Sequence, residues 1–285
     1  ELTNAGYDDG MIIKYDENGI VEWARSIEDK ITSVAETSDG GYIVVGYFYD
    51  DITVGNDVNG NPVELTSAGN ADGMIIKYDE NGYVEWAQSI GGSSFEYINS
   101  VAETSDGGYI VGGYFESSSI TVGNDENGNP VKLTNAGQKD GMIIKYDVDG
   151  NVEWAKSIGK NRDDEIRSVS ETSDGGYIVG GYFRGSSITV GNDENGNPVE
   201  LTNVAGYDGM IIKYDENGIV EWAKSIGGSG NDYIDSVAGT SDGGYIVGGY
   251  FGSSSITLGN YMLQNARYDD GMIIKYGAKG EIEWA

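Results

Sequence analysis

The groups in this chain that could do chemistry are carboxylates, hydroxyls, tyrosines and lysines, because it has no cysteine and no histidine. That removes thiol nucleophiles, Ser-His-Asp triads, imidazole acid–base chemistry and ordinary zinc sites. Three carboxylates stand out by position. Glu36, Glu103 and Glu171 each follow Ser-Val-Ala or Ser-Val-Ser in a recurrent stretch, and Gly239 stands at the fourth copy. If these stretches line a shared channel, the three could hold calcium through oxygen ligands or raise one another's pKa by repulsion. The alternative is that strand alternation turns them sideways into polar contacts between repeats. Gly239 argues against a strictly symmetric role.

Other acidic segments resemble calcium loops only loosely: Asp-Glu-Asn-Gly at Asp16, Asp79 and Asp215, Asp-Val-Asp-Gly at Asp147, and Asn-Asp-Glu-Asn-Gly-Asn at Asn124 and Asn192. An EF-hand-type loop places Gly sixth and Glu twelfth, whereas counting from Asp125 gives Gly128 fourth and Ala136 twelfth. A type I turn with a Gly bulge explains these segments without a metal. Carboxylate pairs alone can hydrolyse glycosides, but a catalytic dyad in a near-identical repeat should show as a deviation in one copy. The deviations are Asn161 to Glu165, Phe95 and Glu96, and Tyr261 to Arg267. They fall in connections of unequal length, where binding surfaces diversify. No enzyme is expected.

The elements that position these residues form a repeat. The stretch SVAETSDGGYIVGGYF at Ser100 recurs in close variants at Ser33, Ser168 and Ser236, and reads as two short strands around a Thr-Ser-Asp-Gly-Gly turn. A second motif, GMIIKY, begins at Gly10, Gly73, Gly141, Gly209 and Gly271, at spacings of 63, 68, 68 and 62 residues. After a turn it leads into a strand of the type VEWAKSI, so each unit holds four strands, A to D. Antiparallel four-stranded units at a fixed period predict propeller blades, with a solenoid as competitor. The excess over a blade of about 40 to 50 residues lies between strands B and C, residues 117–137. It reads as an extra hairpin, Ile120 to Gly123 against Val131 to Thr134.

The run Trp222 to Tyr250 closely resembles the β-propeller repeats of bacterial and archaeal secreted and surface proteins, whose blades read W-x-K-x-x-G-G followed by S-V-x-x-T-x-D-G-G-Y-I-x-x-G. The resemblance covers all but the insert and implies a propeller in an extracellular or envelope setting, with no activity attached. This chain departs in the insert and in the degenerate Gly-Gly element, Ser26-Ile27-Glu28-Asp29 in the first copy and Gly159-Lys160 in the third.

The expected architecture is therefore an all-β propeller of about five blades, with a half blade at 9–27 and blades at 31–90, 98–158, 166–226 and 234–285, in one domain or a portion of a longer array. The half blade has strands C and D alone. Trp23, Trp86, Trp154, Trp222 and Trp284 occupy one strand D position, with Tyr15, Tyr78, Tyr146, Tyr214 and Tyr276 on strand C; repetition favours packing between blades over sugar stacking. Glu22, Glu85, Glu153, Glu221 and Glu283 beside the tryptophans would blunt edge-to-edge aggregation.

The net charge of −30 and pI near 4.1 repel phosphates and anionic surfaces, so no nucleic acid partner and no membrane insertion are expected. Calcium is the one candidate cofactor. The expected function is a non-catalytic extracellular or cell-surface structural and binding module, its partners other protein chains or extracellular ligands such as glycans. The alternative is a self-assembling subunit whose incomplete first blade is completed by a neighbouring chain, giving a homo-oligomer. A carbohydrate-active enzyme on a propeller scaffold is the minor alternative.

Overall fold

A computed structural model describes residues 9–285, and every regular element in it is a strand. The chain opens with a two-stranded hairpin, β1 (Asp9–Tyr15) and β2 (Val21–Glu28). Four units follow. The first comprises β3 (Lys30–Glu36), β4 (Tyr42–Phe48), β5 (Ile52–Asn56), β6 (Pro62–Leu65), β7 (Asp72–Tyr78) and β8 (Val84–Ile90). The second runs through β9 (Glu96–Glu103), β10 (Tyr109–Phe115), β11 (Ser119–Asn124), β12 (Pro130–Thr134), β13 (Asp140–Tyr146) and β14 (Val152–Ile158). The third holds β15 (Asp164–Glu171), β16 (Tyr177–Arg184), β17 (Ser187–Asn192), β18 (Pro198–Thr202), β19 (Tyr207–Tyr214) and β20 (Val220–Ile226). The fourth has β21 (Asp232–Gly239), β22 (Tyr245–Phe251), β23 (Ser255–Leu258), β24 (Tyr261–Gln264), β25 (Asp270–Tyr276) and β26 (Ile282–Trp284).

Each unit makes one antiparallel four-stranded sheet, in the order β3-β4-β7-β8 for the first, with its insert hairpin as a separate two-stranded sheet. Alternation in the apolar runs lets both faces pack, so the strand C segment DGMIIKY is buried throughout in the first three sheets. Ile43, Val45 and Ile75 of the first sheet share a core with Val111, Met142 and Ile144 of the second. The same relation joins the second to the third and the third to the fourth. Tight turns close the hairpins: the Thr104–Gly108 turn needs Gly107 at φ 83°, where a side chain would be strained.

Two features differ from the sequence reading. The A strands begin earlier than residues 98, 166 and 234, at Glu96, Asp164 and Asp232. They do so because a register shift in each A–B pair absorbs one extra residue, Asn99, Arg167 or Asp235, with Thr32 in the first sheet. The insert also has a packing role. The Tyr78, Tyr146 and Tyr214 hydroxyls donate to the carbonyls of Val54, Val122 and Val190 at 2.6 to 2.7 Å, tying each insert to its own sheet. Gly91 and Thr121 exchange main-chain hydrogen bonds at 3.1 and 3.0 Å, tying the second insert to the preceding D strand.

Among the described residues, both ends of the array leave apolar side chains exposed. Met11 is 66% exposed and Ile273 58%, whereas Met74, Met142 and Met210, and Ile75, Ile143 and Ile211, are fully buried at the matching positions.

Candidate functional site

The three channel candidates are placed by the strand A to strand B turn. Glu103 reaches back to the preceding sheet, where the Ser38 main-chain N–H donates to its Oε1 and Oε2 at 2.8 and 2.9 Å and the Ser38 hydroxyl to Oε1 at 2.9 Å. Glu171 does the same one sheet on, accepting from the Ser105 N–H at 2.8 Å and hydroxyl at 2.7 Å. Glu36 is exposed and lines a groove of about 390 Å³ with Met11, Val34 and Tyr42. The structure thus gives two of the three to latches between sheets. Among the described residues, no group of three acidic side chains gathers where a metal ion could be held.

The tryptophans also work between sheets. Trp86 and Trp154 make edge-on or tilted ring contacts with Tyr109 and Tyr177 of the following sheet, both at 5.7 Å. Their Nε1–H groups donate to the carbonyls of Val148 and Glu216, both at 3.2 Å. Each ring lies against a glycine of the next C–D turn: a Cβ at Gly150 or Gly218 would come within 3.0 or 3.1 Å of it. Trp23 repeats this on Tyr42, Glu80 and Gly82. Trp284, with no following sheet, is 48% exposed.

The strand D glutamates have a partner that periodicity did not reveal. Lys77, Lys145, Lys213 and Lys275 are buried, and each bridges the A–B turn to strand D of its own sheet. Lys145 Nζ lies 3.0 Å from Asp106 and 2.9 Å from Glu153 and donates to the Tyr146 carbonyl at 3.0 Å; Lys77 pairs with Asp39 at 2.8 Å and Glu85 at 2.7 Å. Burial opposes the Asp39 charge, but Lys77, the Thr37 hydroxyl and the Gly41 N–H outweigh it and hold the carboxyl down at about 2. The edge charges are therefore halves of ion pairs.

A further set lies where the A strands begin and the B strands end. Tyr47, Tyr114, Tyr182 and Tyr250 stand opposite Lys30, Tyr97, Glu165 and Tyr233 on the neighbouring strand. Rings meet across sheets, Tyr47 on Tyr97 at 4.3 Å and Tyr182 on Tyr233 at 5.0 Å. Cations sit on them: Lys139 lies 3.8 Å from the Tyr114 ring centre, and Arg167 lies 4.7 and 5.1 Å from those of Tyr182 and Tyr233. Glu165 joins the groups, accepting from the Tyr182 hydroxyl at 2.6 Å and pairing with Lys139 at 3.1 Å and Arg167 at 3.4 Å. Phe95 and the segment Asn161 to Glu165, from the divergent connections of the sequence, border or enter this rim, with Tyr97 just beyond Phe95 and Glu96. The signal that sequence reading missed is the tyrosine that precedes the phenylalanine near the end of each B strand.

Beneath the rim lie buried acid pairs. Asp140 accepts from the Ala136 N–H at 2.8 Å and the Ser157 hydroxyl at 3.0 Å, and its Oδ1 has no partner. Burial pushes its neighbour Asp164 up to about 7, helped by the charges of Asp140 and Asp163 and opposed by the Arg184 and Lys160 N–H groups. Burial likewise lifts Asp208 to about 6, with Asp232 adding to the shift.

A scan against protein-family models finds no match. The repeated four-stranded antiparallel sheets are consistent with β-propeller blades, and one of the curated proteins to which the chain is similar is a WD repeat-containing protein. An uncharacterised WD repeat-containing protein of Acanthamoeba polyphaga mimivirus is 27% identical over 231 residues, covering 72% of this chain and 17% of that protein. Regulatory protein FlaEY of Caulobacter vibrioides is 24% identical over 178 residues, covering 61% of this chain and 18% of its own length. The chain thus spans less than a fifth of either relative. Among solved structures, a Bacteroides caccae protein of unknown function superposes with a TM-score of 0.36 at 10% identity, over 97% of this chain and 92% of that one. The Neurospora crassa Pan2 WD40 domain gives 0.26 at 10% identity, over 76% and 85%.

Proposed function

We propose that this chain is a non-catalytic binding module of about five propeller-type blades, the first contributing its outer hairpin, working outside the cell or on its surface. One observation carries the reading. The Trp contacts with Gly and Tyr recur at every junction between sheets and the Glu-to-Ser latch at two of them, Gly239 replacing the glutamate at the third, while the rim changes its aromatic and charged side chains at each one. Uniform contacts hold the scaffold, and varied side chains on a rigid frame are where ligands are told apart. Tyrosine and arginine, the rim's main residues, are also those that concentrate binding energy at interfaces. The WD-repeat similarity supports an interaction role, and the resemblance of Trp222 to Tyr250 to secreted repeats supports the location.

The test compares the wild type with the rim variants Tyr49→Ala and Arg184→Ala, both at exposed positions, for retention of peptide and oligosaccharide libraries. Ligands retained by the wild type and lost by a folded rim variant support the reading; retention indifferent to both variants removes it. A self-assembling subunit is the second reading, favoured by Met11 and Ile273, which are exposed at positions buried in every internal junction. Sedimentation across protein concentration decides it: growth in mass supports assembly, and a constant monomer removes it.

A further inference from the structure

The rim's three junctions between four-stranded sheets differ in what covers their rings. Between the third and fourth sheets, Tyr182 and Tyr233 stand edge to face, 5.0 Å apart at 79°, and the Arg167 guanidinium lies over both, held by Asp235 and Glu165. Between the second and third, the Lys139 ammonium covers Tyr114. Between the first and second, Tyr47 and Tyr97 form the same edge-to-face pair, 4.3 Å apart at 70°. Here, however, the residue matching Arg167 is Thr32, whose hydroxyl donates to the carbonyls of Ile98 at 2.5 Å and Val45 at 3.2 Å. Among the described residues, no cation–ring contact falls on Tyr47, Tyr49, Phe95 or Tyr97. Tyr49 stands 5.9 Å from Tyr47 at 89°, and Phe95 stacks on Tyr97 at 6.3 Å and 11°. Tyr49 is exposed and Tyr47, Phe95 and Tyr97 are half-buried, with Tyr114 stacked on Tyr97 at 5.0 Å.

We propose that Tyr47, Tyr49, Phe95 and Tyr97 form a subsite for a neutral sugar ring of a glycan chain. The inference rests on the reading of the rim as the ligand surface and names the ligand class at the junction whose rings, among the described residues, carry no cation. A pyranose offers an apolar C–H face and a periphery of hydroxyls that both donate and accept. The site matches both: aromatic faces below, and donors and acceptors mixed around them. Lys139 donates, the carboxylate of Glu116, whose main-chain N–H donates to the Phe95 carbonyl at 2.9 Å, accepts, and the tyrosyl hydroxyls do either. A cationic ligand would meet Lys139 over the adjoining Tyr114. An anionic ligand would meet Glu116 and a chain of net charge −30. A neutral, hydroxylated ring incurs neither repulsion, and recurrent tyrosines along the array suit a ligand that is itself a repeat.

The experiment is calorimetric titration of the whole chain with neutral hexasaccharides of β-linked glucose, mannose, xylose and N-acetylglucosamine, with hexagalacturonate as the charged comparison. At least one neutral sugar should bind, and Tyr49→Ala and Tyr97→Ala should each weaken it by about tenfold, the loss of one stacked ring. Tyr97→Phe, which keeps the ring, should bind more tightly than Tyr97→Ala. Thr32→Arg, which puts a guanidinium where Arg167 stands two junctions further on, should abolish binding. If Tyr97→Ala fails to fold, Tyr49→Ala at its exposed position and Thr32→Arg decide. No neutral sugar bound at roughly 10 mM, binding indifferent to those two variants, or tighter binding of the uronate each overturns the proposal. Peptides retained through Tyr49 with no sugar bound would overturn the glycan and leave the rim as the ligand surface; retention of nothing through the rim would remove both.

Discussion

The Glu103 carboxylate accepts three hydrogen bonds from Ser38, a residue of the preceding sheet. One side chain thereby fixes the turn of its neighbour and sets the spacing of two blades. Glu103→Ala should lower stability by about 1 kcal/mol, the net value of such bonds at a solvent-facing site. Glu36→Ala, at an exposed position, should stay within ~0.5 kcal/mol. Urea unfolding at constant m-value checks both, and equal midpoints for the two variants would dismiss the latch.

The tryptophan contacts predict a positional contrast. Trp154→Ala removes a ring lying on Gly218 and Tyr177 and a donor to Glu216, and should cost about 3 kcal/mol. Trp284→Ala removes a half-exposed ring with no following sheet and should cost less than ~1 kcal/mol. Thermal unfolding of the two variants side by side measures the difference. Similar losses at both positions would mean that the ring matters within its own sheet.

Legibility in the sequence followed period. Hairpins, the four strands of each unit and the insert could be read because alternation and Gly-containing turns are local signals. What could not be read is what crosses between units. Ser38 and Glu103 lie 65 residues apart, and nothing local distinguishes a latch from a channel ligand. Lys145 reads as a polar residue on an alternating strand, yet it is buried because Asp106 arrives from the A–B turn and Glu153 from strand D. The rim escaped for a different reason. Tyr114 looks like one more alternating aromatic, and only the single-residue bulge at Asn99 sets Tyr97, at the start of the same sheet's A strand, opposite it.

The buried lysines predict an asymmetric response. Lys145→Met keeps the aliphatic stem but leaves Asp106 and Glu153 facing each other without a cation. It should cost about 2 kcal/mol, below the usual loss for a broken buried pair because both carboxylates are about half exposed. Glu153→Gln, with Asp106 still in place, should cost less than half as much. Double-mutant comparison by urea unfolding measures the coupling, and additive losses would show that the three groups do not act as one clamp.

Acid dependence should run in two opposed directions. Asp39 is held near 2 by Lys77 and its hydrogen bonds, so its contribution is present above the ordinary carboxylate pKa of about 3.9 and is lost as pH falls toward 2. Asp164 and Asp208 are shifted the other way by burial, to about 7 and about 6. Their folded forms bind protons that the unfolded chain has released, so their contribution is complete below about pH 4 and declines as pH rises through 6 and 7. Stability should therefore peak between these windows, near pH 4 to 5, and fall toward pH 8. Asp208→Asn should flatten that upper limb: its oxygen can keep the bonds from Val204 and Ser225, and its amide, uncharged at any pH, takes the place of the unpartnered Oδ1. Thermal midpoints from pH 3 to 8 for the wild type and this variant test the assignment. A wild-type midpoint that rises steadily to pH 8, or an upper limb unchanged in Asp208→Asn, would show that the buried acids are ionised in the folded chain.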